Sequence, residues 1–557
     1  MCVLVAVIMI GRLYLLQIIE GHAYALRANA QFMEPASPLV DRGTIYFTDK
    51  NGVHITAATI KEGFSIAVNP TKVIDKEALY AALKDIIAPI GHDDFIAKAT
   101  KKGSQYQLIA VHLDPSVGKI LLAQKLPGLI LQNDRWRLYP GGSLAAQTLG
   151  FVAYKDTTQV GQYGVERSYD ATLSRVGQDL YKNFFVELFG SVQSVVSGED
   201  QQGDLITTIE PTVEAELERQ LAIYDQNWHP KLSGGIVMNP QTGEILAMSV
   251  YPTFDLNTFN TQRDPAIYSD PMVQSVYEVG SIIKPLTMAA GLDSGAIVAT
   301  STYNDTGCIE TDKKKICNFD GKPRGVIPMQ QILSQSLNVG ASYVATRMGP
   351  AIMRNYFLDK YGFASTTGID LPSEVRAITT NLKGNRAVEY DTASFGQGIA
   401  LTPIETARAL AILANGGYRV VPHVVSQIHY ATGIIQTIDW DSKKVQVLKP
   451  ETAATVSRML TEVVDTALVK GEDKFEHYSV AAKTGTAQIA NPAGGGYYTD
   501  RFLHSFFGYF PSYNAKYLIF LFAYEPVGAP YASITLAPPW HSLTQFLINY
   551  YNVPPDR

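Results

Sequence analysis

Ser281 and Lys284 stand three residues apart in Gly280-Ser-Ile-Ile-Lys-Pro285, which on a helix puts a hydroxyl and an amine on one face about one turn apart. That is a spacing that suits a nucleophile and its base. Gly280 in front and Pro285 behind place a helix start near the serine, where a missing proline N–H matters least and the positive end of the helix dipole favours a developing alkoxide. Burial or a neighbouring cation would lower the pKa of Lys284 enough for it to accept the serine proton. The pair alone does not single out a site, because Ser116-Val-Gly-Lys119 has the same spacing.

Two further elements follow in order, Ser336-Leu-Asn338 and Lys483-Thr484-Gly485-Thr486. Ser-x-Asn recurs at Ser512-Tyr-Asn514, but Lys-Thr-Gly occurs once in the chain. Each part has a physical task in covalent serine catalysis. Ser336 can pass a proton between nucleophile and leaving amine, Asn338 can orient Lys284 or a substrate amide, and Lys483 can set positive charge beside a substrate carboxylate. Gly485 lets a strand backbone approach the substrate closely, and Thr484 and Thr486 offer hydroxyl contacts.

These residues need elements to hold them. Ile282 to Leu292 is mostly apolar and reads as a helix, while Ser233 to Val250 reads as two strands, GGIVM and EILAMSV, joined through an Asn239-Pro240-Gln241-Thr242-Gly243 turn. Ser479–Ile489, Ser505–Phe510 and Tyr517–Tyr524 read as further strands. Strands early, helices between and strands late predict an α+β fold, an antiparallel sheet packed by helices. A polar, Gly-containing run at Val196 to Asp204 marks a boundary. Three segments are expected: residues 1–20 as a membrane helix, 21–204 as an elongated pedestal without a catalytic constellation, and 205–557 as the catalytic domain.

The amino terminus carries the membrane reading. Cys2 to Ile19 is apolar except for Arg12 and Gln17, about the ~20 residues that cross a bilayer's hydrocarbon. Ala23-Tyr-Ala25 and Ala28-Asn-Ala30 resemble cleavage sites of a signal peptide, but the basic segment expected ahead of one is missing. An uncleaved anchor is therefore expected. The balance of 46 Lys plus Arg against 52 Asp plus Glu supplies no electrostatic footprint for nucleic acid. Cys2, Cys308 and Cys317 show no Cys-x-x-Cys spacing, and the ten histidines form no His-Glu-x-x-His arrangement, so no metal is expected.

The ordered trio is the set found in penicillin-binding proteins and class A β-lactamases. Over nearly its full length the chain resembles the class B penicillin-binding proteins. Tyr277-Glu-Val-Gly-Ser-Ile-Ile-Lys-Pro285 is similar to the family's nucleophile segment, with Val279 in place of the usual proline. Thr367-Gly-Ile-Asp-Leu-Pro372, Gly396-Gln-Gly398 with Thr402-Pro403, and Lys483 to Gln488 also resemble family signatures. In the first half, Arg42-Gly43 through Asp49-Lys-Asn-Gly52 resembles the Arg-Gly element but is two residues longer; Leu138-Tyr-Pro140, Gly164-Val-Glu166 and Tyr169-Asp170 resemble pedestal motifs.

The resemblance implies a peptidoglycan D,D-transpeptidase that cross-links stem peptides through a serine acyl-enzyme and is inhibited covalently by β-lactams. It implies Ser281, Lys284, Ser336, Asn338 and Lys483 as catalytic, with Thr484, Gly485 and Thr486 lining the substrate and the N–H groups of Ser281 and Thr486 forming an oxyanion hole. It implies no cofactor, a single-pass chain in the cytoplasmic membrane with the catalytic domain outside, and a membrane-embedded peptidoglycan glycosyltransferase as partner. Ser-x-Asn followed by Val339-Gly340 resembles division-associated or sporulation-associated members more than elongation members. No wall-binding repeats are expected after the Asn549–Arg557 tail. The alternatives are a D,D-carboxypeptidase or β-lactamase, which give the acyl group to water, and a β-lactam-sensing or catalytically idle scaffold. In the expected compartment Cys308 and Cys317, flanking Ile309 to Ile316, could close a disulfide or remain two free thiols.

Overall fold

The computed structural model describes residues 41–87, 91–155, 158–175, 202–472 and 474–557. The expected membrane helix at residues 1–20, the two cleavage-site candidates and most of the Val196 to Asp204 boundary lie outside the described residues. Among the described residues no helix is long and apolar enough to cross a membrane.

The described chain forms two compact units, residues 60–137 and residues 42–59 with 138–557. In the smaller unit the strand Gln107–Leu113 runs antiparallel to the end of His54–Val68, with Phe64 opposite Leu113 and Ile66 opposite Ala110. Two of its helices start at acidic caps: the Asp75 carboxylate accepts from the Ala78 N–H and the Asp114 carboxylate from the Ser116 N–H. Ile66, Val68, Leu79, Leu83, Phe95 and Leu121 make its core.

The larger unit is built on a five-stranded antiparallel sheet, and the α+β expectation holds there. Its elements used below are α1 (Pro211–Trp228), β1 (Leu232–Met238), β2 (Ile245–Tyr251), α2 (Lys284–Asp293), α3 (Asn338–Arg354), α4 (Pro403–Ala414), β3 (Ala481–Ala490), β4 (Tyr497–Phe510), β5 (Tyr517–Tyr524) and α5 (Ala537–Tyr550). The strand order is β3-β4-β5-β1-β2. All six interior residues of β5, Leu518 to Ala523, are buried, the continuous apolar run of a strand covered on both faces. On one face α1 and α5 pack, with Trp540 stacked on Phe506 and Leu217 against Gly235. On the other, Ile282 approaches Gly485, and α4, buried along its whole length, lies among the helices. A capping box at Thr402 and Glu405 starts α4.

Two boundaries differ from the sequence expectation. The residues expected to open one continuous helix divide into a 3₁₀ turn, Gly280–Ile283, and the α-helix from Lys284; Pro285 belongs to the first turn of that helix, where its missing N–H costs nothing. The strand expected at Ser505–Phe510 begins at Tyr497. Its first residues are largely exposed and carry no apolar alternation, so they extend the hairpin with β3 without leaving a core signature.

Candidate active site

Backbone geometry sets the turn at Ser281 first. Gly280 has φ +67 and donates its N–H to the Gly396 carbonyl at 3.1 Å. A Cβ on Gly396, itself at φ +80, would lie 2.2 Å from the Gly280 oxygen, so both turns require glycine. Across the chain Ser505 donates to the Val279 carbonyl at 2.7 Å. A Cβ on Gly485 would meet that same carbonyl at 2.6 Å and the Ser505 hydroxyl at 2.4 Å. The absence of a side chain at Gly485 is what lets β3 lie against the nucleophile turn.

Ser281 leads into α2 and Lys284 follows one turn later with its amine buried. Lys284 Nζ lies 3.0 Å from Ser281 Oγ, 3.2 Å from Ser336 Oγ and 2.5 Å from the Ser336 carbonyl oxygen. Burial, and then the charge of Lys483, hold the Lys284 pKa well below that of an ordinary lysine. Lys483 Nζ donates to Ser336 Oγ at 3.1 Å and to the Thr484 carbonyl at 3.0 Å. Burial lowers its pKa to about 8. One hydroxyl thus stands between two amines that ionise differently.

Ser336 reaches this place from a left-handed backbone at φ +56, a conformation that costs a non-glycine residue energy and persists where the surroundings fix it. Asn338 begins α3 and donates its side-chain N–H to the Cys317 carbonyl at 3.0 Å. Its partner is thus a hairpin, Cys308–Thr311 paired with Lys314–Cys317, rather than Lys284. Cys308 and Cys317 are joined by a disulfide across that hairpin. Next to it Asn318 accepts from the Val339 N–H at 3.1 Å and is held by the Asp305 carboxylate at 2.9 and 3.0 Å.

Strand alternation sorts the last element. Lys483 and Gly485 face the nucleophile side of the sheet, in register with Phe507 and Ser505, while Thr486 pairs with His504 and its hydroxyl accepts from the Ala532 N–H at 3.1 Å. The structure brings Ser281, Lys284, Ser336 and Lys483 into one hydrogen-bonded cluster, with Gly485 packed against the nucleophile turn. Sequence reasoning did not find Ser505, Asn318 or Asp305. Ser505 left a faint signal, a small polar residue within the apolar Phe502–Phe510 run.

Residues 234–534 match the penicillin binding protein transpeptidase domain, which covers more than half of the chain. The chain belongs to the penicillin-binding protein transpeptidase family. Residues 38–208 match the penicillin-binding protein dimerisation domain, and together the two matches bear out the class B assignment implied by the motifs. This penicillin-binding protein is 28% identical to the stage V sporulation protein D of Bacillus subtilis over 96% of its own length and 82% of the relative's. It is 27% identical to the peptidoglycan D,D-transpeptidase FtsI homolog of Mesostigma viride, covering 99% of this chain and 94% of that one. Its fold resembles penicillin binding protein 3 of Mycobacterium tuberculosis, solved in complex with aztreonam, with a TM-score of 0.70 at 23% identity over 93% of this chain and 98% of that one.

Proposed function

We propose that this penicillin-binding protein cross-links peptidoglycan as a D,D-transpeptidase, with Ser281 as nucleophile and Lys284 as its base. The observation that carries the reading is the buried, neutral-leaning Lys284 amine 3.0 Å from Ser281 Oγ. Ser281 attacks the penultimate D-alanine carbonyl of a donor stem peptide as its proton passes to Lys284. The N–H groups of Ser281 and Thr486 receive the oxyanion, a type of contact worth about 10²–10³ in rate per donor. The C–N bond then breaks, and Ser336, hydrogen-bonded to both lysines, relays the proton from Lys284 to the departing D-alanine amine. Lys483 holds the terminal carboxylate. A second stem peptide's amine attacks the ester, its proton returns by the same relay to Ser281, and the cross-link is released. Thr484 and Gly485 border the peptide, and Asn338, fixed by the Cys317 carbonyl, presents its amide to it.

A β-lactam takes the donor's part, as aztreonam and ampicillin are held by the structural relatives, and its amine stays tethered after ring opening. The chain is anchored by residues 1–20 in the cytoplasmic membrane as a single pass, with 21–204 as pedestal and 205–557 as an extracytoplasmic catalytic domain. Its partner is a membrane-embedded glycosyltransferase that supplies nascent glycan. The relatives named for sporulation and FtsI support a division or sporulation role over elongation. The experiment is the full-length protein in membranes with uncross-linked glycan strands: muropeptide dimers with D-alanine release support transpeptidation, whereas D-alanine release without dimers returns the carboxypeptidase alternative.

A further inference from the structure

Glu278, three residues before Ser281, is a carboxylate at the edge of the active site that has no counter-ion among the described residues. Its Oε1 accepts a hydrogen bond from the Tyr497 hydroxyl at 3.3 Å, and its Oε2 is shielded from solvent and makes no close hydrogen bond among the described residues, the Gly398 backbone lying nearby. What acts on its ionisation is burial, then Tyr497 and the Gly398 backbone, with no cation among them, and burial raises its pKa to about 7. A half-buried acid in this condition gains most from an arriving cation.

Its place along β3 says where such a cation would come from. Tyr497 pairs in register with Ala490, four residues beyond Thr486, roughly 13 Å at ~3.3 Å per strand residue. At the other end of the same segment, a Cβ on Gly280 would sit 3.2 Å from Ala487. The carboxylate therefore borders the stretch from Ala487 to Ala490. Among the described residues β3 pairs in the sheet only with β4, and its outer edge can take an extended peptide. A donor with its carboxylate at Lys483 and its scissile carbonyl at Thr486 must run its amino-side residues along that stretch.

We propose that Glu278 and Tyr497 form a subsite for the side-chain ammonium of the donor stem peptide, carried on a residue to the amino side of its acylating D-alanine. The inference rests on the transpeptidase reading. Cross-linking needs an amine on the acceptor, and donor and acceptor are copies of one kind of peptide, so the donor arrives with an ammonium of its own. Lys483 and Glu278 then match the carboxylate and the ammonium of a single substrate, which fixes its register on β3. The Tyr497 hydroxyl holds the carboxylate in place before the ammonium joins it.

The test uses two penicillins that share one acyl chain, ending in a primary ammonium in the first and in its N-acetylated form in the second. Their acylation rate constants are followed by intact mass on the full-length protein. Wild type is expected to prefer the ammonium compound by about tenfold, the scale of one charge-assisted hydrogen bond, and in Glu278→Gln that ratio falls to within about twofold of one. A wild-type ratio near one overturns the proposal whatever the variant does, as does a ratio that Glu278→Gln leaves unchanged. If neither compound acylates the folded wild type, the transpeptidase reading itself fails and the subsite falls with it.

Discussion

Ser281 and Ser116 each precede a lysine by three residues and each sits at the start of a helix, yet only one of them is placed to do chemistry. Ser116 is exposed and donates its hydroxyl at 2.8 Å to the carboxylate of Asp114, the residue that caps its helix, and Lys119 is exposed with it. Ser281 faces a buried amine that two other motifs surround. The same four-residue spelling lies on the exposed first turns of a helix in the smaller unit and in a buried hydrogen-bonded cluster in the larger. The difference lies in desolvation: burial beside a second amine favours the neutral form of Lys284, which can accept a proton.

The sharpest way to break this comparison is to exchange the bases. Lys284→Ala should slow penicillin acylation by about 10³-fold, within the range of a positioned general base, while Ser116→Ala and Lys119→Ala should stay within about twofold, all read as adduct formation by intact mass. Next in size are the glycines. Gly396→Ala should lower acylation by about 10²-fold, since its Cβ would collide with the Gly280 carbonyl that shapes the nucleophile turn and a displaced group loses about that much. Gly118→Ala, whose Cβ would lie 2.0 Å from the Phe64 ring, should destabilise the smaller unit by about 1–3 kcal/mol, seen as a lower thermal midpoint, and leave acylation of Ser281 unaltered.

The pH dependence separates the two lysines of the site. As pH falls through the lowered pKa of Lys284 the amine is protonated and kcat/KM for acylation falls; as pH rises past about 8, Lys483 loses the charge that holds the carboxylate. Lys483→Arg, which keeps its charge, should carry the descending limb to higher pH. Both folded pKa values lie below the unfolded value of about 10.4, so the unfolded chain binds more protons and stability should rise with pH across that interval. A thermal midpoint that falls between pH 8 and 9.5 in wild type but is flat in Lys284→Met would reverse the expected sign. Among changes beside the site, the smallest effect is expected from Cys317→Ser. It removes a short-loop cross-link worth about 2–3 kcal/mol and loosens the carbonyl that holds Asn338, so acylation should drop by only about threefold.

Much of the site was legible because its chemistry needs particular residue types in a fixed order. That order singled out Ser281, Lys284, Ser336 and Lys483, which the structure gathers into one hydrogen-bonded cluster, and period and turn residues gave the antiparallel sheet. What surrounds them was not legible, because contacts such as Ser505 to Val279 and Asn338 to Cys317 join residues 226 and 21 apart in the chain and leave no local pattern. The pairing of Cys308 with Cys317 stayed open for the same reason, since spacing alone says nothing of how two backbones face each other. The early start of β4 at Tyr497 was hidden because an exposed hairpin extension need not alternate apolar and polar residues.

The most direct measurement is peptide mapping of the penicillin adduct on the folded full-length protein. The account predicts a single stable adduct on the peptide carrying Ser281, lost in Ser281→Ala and retained in Ser116→Ala. An adduct on the Ser116 peptide, or one that survives Ser281→Ala, would contradict it.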